Sequence, residues 1–438
     1  MQLLDQDTRC IIVNSPPGAG KSTLVRECAA HLARSGKQVP IITQTNDQAD
    51  DHVQRLRTSS DTAGLRIGRL HGRDYNTTRH QDTSPDLARL LECDIIVAPA
   101  AKWGTLNRRA VPEWQPEVGI IDEGYQMSSG DLSKVAGRLP RLLVVGDPGQ
   151  LSPFTTADDS TLRSAAAWPL DTAARTIQIN HPGTPTVTLP VTWRLPTTTA
   201  QLISDSFYRD KFTAGSDPQQ RLLHLPLGVV RDGYDRAIRM AASHSICLLE
   251  LPDEHVAVTD PDTITAISEL VARLLTSRIT RIDNDRSEPL RAHDIAIGVT
   301  HTHQRERLQA AVDRKIATLG EAPGAVHVDT ANRLQGREFE VVIAWHPLSG
   351  RRDATAFHLE AGRLCVLASR HKRACIVVAR EGIQRQLEAY PHTEPVWLSA
   401  PKAPVDGWTA NLRFLEGIRE IANVKLDSSV VIPGPRQP

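Results

Sequence analysis

Lys21, Ser22 and Thr23 close a loop that reads S-P-P-G-A-G from Ser15 to Gly20. An apolar run, Ile11, Ile12 and Val13, precedes the loop and has the character of a buried strand. A helical pattern follows, with Leu24, Val25, Cys28 and Leu32 on one face and Gly36 as its stop. Strand, glycine loop and helix together turn backbone N–H groups and a helix N-terminus towards a phosphate. In that frame Pro17, Gly18, Ala19, Gly20, Lys21, Ser22 and Thr23 form the phosphate cradle. Lys21 would reach the β- and γ-phosphates, and the Ser22 hydroxyl would hold Mg²⁺. Ser15 stands where the pattern G-x-x-x-x-G-K-[ST] has its first glycine, but Gly18 and Gly20 remain where the backbone passes closest to a nucleotide. The plain alternative is a glycine-rich turn that binds nothing. The agreement of strand, loop and helix with the motif weighs against it. The cofactors implied are ATP and Mg²⁺.

A second group lies about a hundred residues on. Residues 118–123, V-G-I-I-D-E, form an apolar run that ends in two carboxylates. Asp122 would hold the metal, and Glu123 would orient and deprotonate an attacking water. Residues 141–150, R-L-L-V-V-G-D-P-G-Q, give a further apolar run ending in Asp147 and Gln150, placed to feel the γ-phosphate. Each of these alone reads as a strand followed by a turn. Three strand ends carrying phosphate- or metal-directed groups fit one parallel sheet, whose site lies at the C-terminal ends of its strands.

The elements that must position these groups need a chain of more than one domain, and 438 residues allow it. No apolar run is long enough to span a bilayer, and Met1-Gln-Leu-Leu-Asp is no signal peptide, so the expectation is cytoplasmic. Six scattered cysteines without a C-x-x-C pair read as small buried residues. Lys and Arg balance Asp and Glu at 51 each, so a nucleic-acid surface must be a local groove. Residues 38–45 form a short strand ending in polar groups. Thr45 and Asn46 there suit phosphate-backbone contacts, or Asn46 simply caps the next helix. Trp103 and Trp114 either stack on bases or fill a core edge. His301 and His303 form H-x-H without an evident third ligand and read as strand-end polar groups, not a zinc site.

These motifs in combination resemble the superfamily 1 DNA/RNA helicases over residues 10–380. S-P-P-G-A-G-K-S looks like motif I, T-Q-T-N motif Ia, D-E-G-Y-Q motif II and G-D-P-G-Q-L motif III. The P-P-G and D-E-G-x-Q forms are most similar to the 5′-to-3′ branch that includes the nonsense-decay and tRNA-splicing helicases. Leu189-Pro-Val-Thr-Trp-Arg194 resembles the motif with an ATP-contacting arginine, and G-V-T-H-T-H-Q from Gly298 resembles the strand and turn ending in Gln. V-D-T-A-N-R-L-Q-G-R-E from Val328 resembles motif V, and L-C-V-L-A-S-R from Leu364 resembles motif VI. The resemblance implies two tandem RecA-like α/β domains, each a mainly parallel sheet between helices. They are expected at residues 1–185 and 186–384, with a linker over 181–190, followed by a helix and disordered tail at 385–438. It implies Mg²⁺-ATP between Lys21, Asp122 and Gln150 on one side and Arg194 and Arg370 on the other. Gln335, Gly336 and Glu338 would lie near the γ-phosphate and ribose, and Thr330 and Arg333 would face nucleic acid. The implied activity is ATP hydrolysis coupled to translocation on, or unwinding of, single-stranded DNA or RNA. An ATP-driven switch that clamps nucleic acid or a protein without unwinding is the alternative.

Four departures accompany the likeness. Gln2 and Gln6 sit too close to Lys21 to serve as the family's adenine-reading glutamine. Motif VI reads V-L-A-S-R in place of V-A-L-T-R. P-A-A-K-W after Ile95-Ile-Val-Ala lacks a nucleic-acid-touching threonine. No large insertion supplies a duplex-gripping domain, so a protein partner is expected to supply the wedge. An amphipathic helix over 408–421, around Trp408 and Leu412, is the candidate docking site, with packing back onto its own domain as the commoner fate of such a helix.

Overall fold

The computed structural model describes residues 8–75, 82–106, 111–153, 171–215, 221–226, 228, 230–256, 258–284, 286–389 and 405–427. The chain divides into two compact units, Met1–Pro148 with Ser152–Leu189, and Gly149–Leu151 with Pro190–Pro438.

In the first unit eight strands make one all-parallel sheet. They are β1 (Cys10–Asn14), β2 (Val39–Thr43), β3 (Ile67–Leu70), β4 (Thr83–Ser84), β5 (Ile95–Pro99), β6 (Val118–Ile121), β7 (Arg141–Gly146) and β8 (Thr186–Thr188), in spatial order β4-β3-β5-β2-β6-β7-β1-β8. The central strands are runs of β-branched and apolar residues because helices cover both faces and leave no wet side. Ile12, Ile42, Ile96, Ile121 and Val144 pack on one face, and Ile11, Ile41, Ile95, Ile120 and Val145 on the other. The helices are α1 (Lys21–Arg34), α2 (Asn46–Thr58), α3 (Ala100–Gly104), α4 (Ser129–Ala136) and α5 (Ala173–Asn180).

Three local expectations are corrected or settled. The cap of α2 is Thr45, not Asn46: its hydroxyl accepts from Gln48 N–H, and the Gln48 side chain accepts from the Thr45 backbone. Part of the expected linker is β8, an exposed edge strand paired with β1. Trp103 and Trp114 are buried and stacked on each other at 5.2 Å, with Trp103 Nε1 donating to the Ile41 carbonyl, so they belong to the core.

The second unit is built on a six-stranded parallel sheet, β16-β15-β17-β18-β12-β19, from β12 (Ile246–Leu251), β15 (Ile295–Val299), β16 (His327–Thr330), β17 (Phe339–Trp345), β18 (His371–Arg380) and β19 (Asn423–Lys425). Beside it lie the pair β9 (Val191–Thr192) and β10 (Thr213–Ala214). A small antiparallel sheet is made of β11 (Arg221–His224), β13 (Thr280–Asp283) and β14 (Arg286–Pro289). Its helices are α6 (Thr197–Phe207), α7 (Gly233–His244), α8 (Pro261–Thr276), α9 (Thr302–Ala317), α10 (Ala331–Leu334), α11 (Ala356–Leu359), α12 (Ala361–Ala368), α13 (Ile383–Ala389) and α14 (Gly407–Ile421). No helix among the described residues is long and apolar enough to cross a membrane.

The helix expected to present Trp408 and Leu412 to a partner is α14, and it packs onto its own unit. Phe414, Leu415 and Ile418 are buried, Phe414 sits 5.6 Å from the ring of Phe207, and Trp408 Nε1 donates to the Leu387 carbonyl at 2.8 Å. Trp408 and Leu412 pack against the same cluster. β19 then adds to the sheet edge beside β12. The proline-rich end lies outside the described residues. Phe414→Ala is therefore expected to destabilise the second unit by roughly 3–5 kcal/mol, the cost of emptying a buried aromatic site. Chemical denaturation read by intrinsic fluorescence checks this; an unchanged midpoint would place the helix off the core.

Candidate nucleotide site and nucleic-acid interface

The loop after β1 takes its shape from two glycines. Gly18 and Gly20 have φ of 73° and 91°, and Gly20 caps α1 in the left-handed region with open space where a Cβ would stand. Ser15 N–H donates to the Gly146 carbonyl at 2.8 Å, tying the loop's first residue to the end of β7. Ser15 Oγ is buried with no hydrogen-bond partner. The loop thus leads its backbone into the N-terminus of α1, as an anion site requires.

Lys21, the first residue of α1, turns to the carboxylates after β6. Its ammonium is 3.2 Å from Asp122 Oδ1 and hydrogen-bonded to Glu123 Oε1. Burial by itself would discharge the ammonium, but the two carboxylates overcome that cost and hold it more firmly protonated than a free lysine. Burial likewise pushes the Asp122 carboxyl up, and Lys21 and His52 pull it further down, well below the usual carboxylate range. Asp122 Oδ1 also accepts the Glu123 N–H at 3.0 Å. Glu123 itself has φ of 57°, a left-handed conformation rare for a residue with a side chain and costly enough to need support from its surroundings. Gly124 provides room for that turn: a Cβ there would lie 2.3 Å from Val144 Cγ1.

The residue that sequence reading missed is His52. It stands on α2, buried, with Nε2 2.6 Å from Asp122 Oδ2. A histidine in the polar stretch N-D-Q-A-D-D-H carries no motif. Its only sequence signal is its place on the buried face of α2, with Ala49, Val53 and Leu56.

In the second unit the structure brings together Arg194, Glu338 and the end of α12. Arg194 Nε donates to Glu338 Oε2 at 3.0 Å and Nη1 to the Ser369 carbonyl at 3.4 Å. Burial raises the Glu338 carboxyl, and Arg194 and Lys372 more than reverse it, holding it below the usual range. Arg370 is buried, its Nε bonded to the Val366 carbonyl and Nη2 to Ser369 Oγ. Gly336 is left-handed at φ 79°, and Gln335 Nε2 donates to Gln150 Oε1 at 2.9 Å. Ser22 is half-buried and Thr23 exposed on α1.

The nucleic-acid candidates separate by accessibility. Thr45 is exposed but its hydroxyl is engaged as the α2 cap, and Asn46 Oδ1 accepts from Arg69 Nη2 at 3.0 Å. Thr330 is half-buried at the end of β16, and Arg333 projects from α10 with two-thirds of its side chain exposed. His301 faces His358, Nε2 to Nε2 at 2.9 Å, while His303 is exposed. Among the described residues no group of three or more His, Cys, Asp or Glu is placed to hold a metal.

Two family models, each described as an AAA domain, match residues 1–166 and 174–382. Together they span most of the chain, and with the motifs and the relatives below they support one family. The chain belongs to the superfamily 1 helicases. The helicase chain is 21% identical over 424 residues to the DNA-binding protein SMUBP-2 of Mus musculus, covering 84% of this chain and 40% of that protein. The Rattus norvegicus protein matches at the same identity and 41% of its length. The chain thus spans about two-fifths of the length of the curated relatives it matches. Among solved structures it is 14% identical to the arterivirus nonstructural protein 10 helicase, at TM-score 0.45, covering 85% of this chain and 59% of that one. It is also 14% identical to the Escherichia coli DEAH/RHA helicase HrpB, at TM-score 0.45, covering 90% and 43%.

If His52 fixes the Asp122 carboxylate for a divalent ion, His52→Ala should raise about tenfold the Mg²⁺ concentration needed for half-maximal binding of a fluorescent ATP analogue. His52→Asn, which keeps a donor, should recover part of the loss. An unchanged Mg²⁺ titration in the alanine variant would show that the hydrogen bond only packs the helix.

Proposed function

We propose that this protein hydrolyses ATP under stimulation by single-stranded nucleic acid and couples hydrolysis to movement along the strand. The observation that carries the reading is Lys21, led by a glycine loop to face Asp122 and Glu123 at the end of β6. A half-buried cation opposite two buried carboxylates fits a triphosphate and its metal: the phosphates would take over Lys21, and the carboxylates would turn to metal and water.

In this reading the backbone from Gly18 to Thr23 and the Lys21 ammonium bind the phosphates. Ser22 and Asp122 would hold Mg²⁺, which when bound neutralises phosphate charge. Transfer of Lys21 to the phosphates frees the Glu123 carboxylate, which then orients a water and takes its proton as the new bond to the γ-phosphorus forms and the bond to the β–γ bridging oxygen breaks. Arg194 and Arg370 are the further cations assigned to phosphate charge, with Gln150, Gly336 and Glu338 in nucleotide sensing. Thr330 and Arg333, with Thr45 and Asn46, are assigned to the sugar–phosphate backbone, so binding is salt-sensitive and nearly independent of sequence. Six free thiols, five of them buried, accord with a cytoplasmic setting.

Lys21→Ala should abolish nucleotide binding or turnover. Glu123→Gln should keep binding and lose about a hundredfold or more in turnover, the scale of a positioned general base. Steady-state ATPase assays with single-stranded DNA, single-stranded RNA and neither check both variants and the stimulation together. Wild-type turnover in Glu123→Gln would remove that residue from the role.

Splitting a duplex asks for more than walking, since each base-pair step costs on the order of 1–2 kcal/mol of stacking. The reading is that the protein moves 5′ to 3′ and that a partner protein supplies the wedge. On a 5′-tailed duplex the purified protein should displace little strand; efficient displacement of a long duplex would overturn the partner requirement, and activity confined to 3′-tailed substrates would overturn the direction.

A further inference from the structure

Two aromatic side chains, Trp193 and Phe357, are among the large hydrophobic residues left exposed. Phe357, on α11, is 45% exposed, yet its ring is fixed from several sides. The Arg363 guanidinium lies 3.9 Å from the ring centre, and Arg363 Nε donates to the Phe357 carbonyl at 3.0 Å. His301 lies alongside at 5.3 Å and 31°, and His358 meets the ring edge-on at 5.2 Å and 87°. His358 is itself tied to Thr355 Oγ1 and to His301. Burial first, then the neighbouring Arg351 and Arg363 cations, hold both imidazoles below their usual range, His358 at about 4, so the pair is neutral at pH 7.

The cluster joins the residues assigned to the nucleic-acid backbone. Arg363 Nη1 donates to Asn332 Oδ1 at 3.3 Å, between Thr330 and Arg333 in sequence. His301 follows β15, whose last residue, Val299, pairs with Thr330 of β16. Through Arg363 and Asn332, Phe357 is thus linked to α10, the short helix that follows the end of β16 and carries the exposed Arg333. A pre-ordered aromatic ring among cations is the arrangement on which unpaired bases stack, at low entropic cost because the ring is already held.

We propose that Phe357, supported by Arg363 and His301, is a stacking platform for one base of the single strand whose backbone Thr330 and Arg333 hold. The proposal rests on the reading of the protein as a nucleic-acid-stimulated ATPase. An aromatic side chain of a protein partner is the competing occupant.

The test is fluorescence anisotropy of the full-length protein with a labelled oligothymidylate and with an abasic oligomer of equal length, at one fixed salt concentration. Phe357→Ala should weaken oligothymidylate binding about tenfold, within the range for loss of one stacked base. The wild type should lose a similar factor on the abasic oligomer, and Phe357→Ala should barely distinguish the two. Phe357→Trp should keep wild-type affinity, with its emission quenched by the base. Wild-type affinity for oligothymidylate in Phe357→Ala, or an unquenched and weak Phe357→Trp, overturns the platform and leaves the ATPase reading standing. Failure of the wild type to bind either oligomer, or an oligouridylate of equal length, overturns both.

Discussion

One half-buried ammonium between two buried carboxylates sets the terms for the first unit. Removing Lys21 from water is tolerable because Asp122 and Glu123 meet it, and burying two acids side by side is tolerable because Lys21 sits between them. The arrangement fixes the rest locally. Both carboxylates must leave β6 at one level, which puts Glu123 in the left-handed region and leaves room only for glycine at position 124 beside Val144. The loop must bring Lys21 to that level, so its two left-handed glycines come just before α1. His52 then secures the second oxygen of Asp122, while the first faces Lys21 and accepts the Glu123 N–H. A charge cluster of this kind contributes little net stability against a well-packed apolar core. In the proposed function its value is that the lysine would have an alternative partner of higher charge, a polyphosphate.

How much of this was legible follows from where each signal resides. The central strands of both large sheets read directly, because a strand buried on both faces is an uninterrupted apolar run; β12 and β17 fall where their patterns put them. The glycine loop and the D-E pair were legible as local features for a related reason, since each is made of residues adjacent in the chain. What escaped is carried by tertiary context. His52 acquires meaning only when α2 lies over the end of β6, seventy residues away in sequence. β8, the antiparallel strands β11, β13 and β14, and β19 are two to four residues long or exposed, and show too little alternation to stand out from loops. Thr45 and Asn46 are both good capping residues, and only the Gln48 side chain decides between them. The amphipathic pattern of α14 was read as a helix, but an apolar stripe does not say whose surface it covers; Phe207 does.

The second unit shows the same economy with the signs reversed. Its key cations are engaged within the unit: Arg194 by Glu338 and the Ser369 carbonyl, Arg370 by Val366 and Ser369 Oγ. Most of these partners are neutral oxygens, and the one carboxylate, Glu338, is shared between Arg194 and Lys372. These bonds fix the orientation of both guanidiniums, the property that the proposed function requires of groups meeting a transient negative charge.

The overall charge balance of 51 against 51 then has a physical reading. A globally basic chain would attract nucleic acid everywhere, and a bound strand would have no preferred track. Here many arginines are neutralised in place, as with Arg380 among Asp260, Asp262 and Glu254, or Arg273 between Asp232 and Glu269. The cations that stay exposed, Arg34, Arg89, Arg278, Arg333 and Arg352 among them, are spread along both units. Internal pairing of these arginines weakens the attraction they would otherwise exert on a polyanion. In the proposed function, a backbone held through Thr330 and Arg333 would rest on few charges and so could be released and regripped, which tight binding over a broad basic face would prevent.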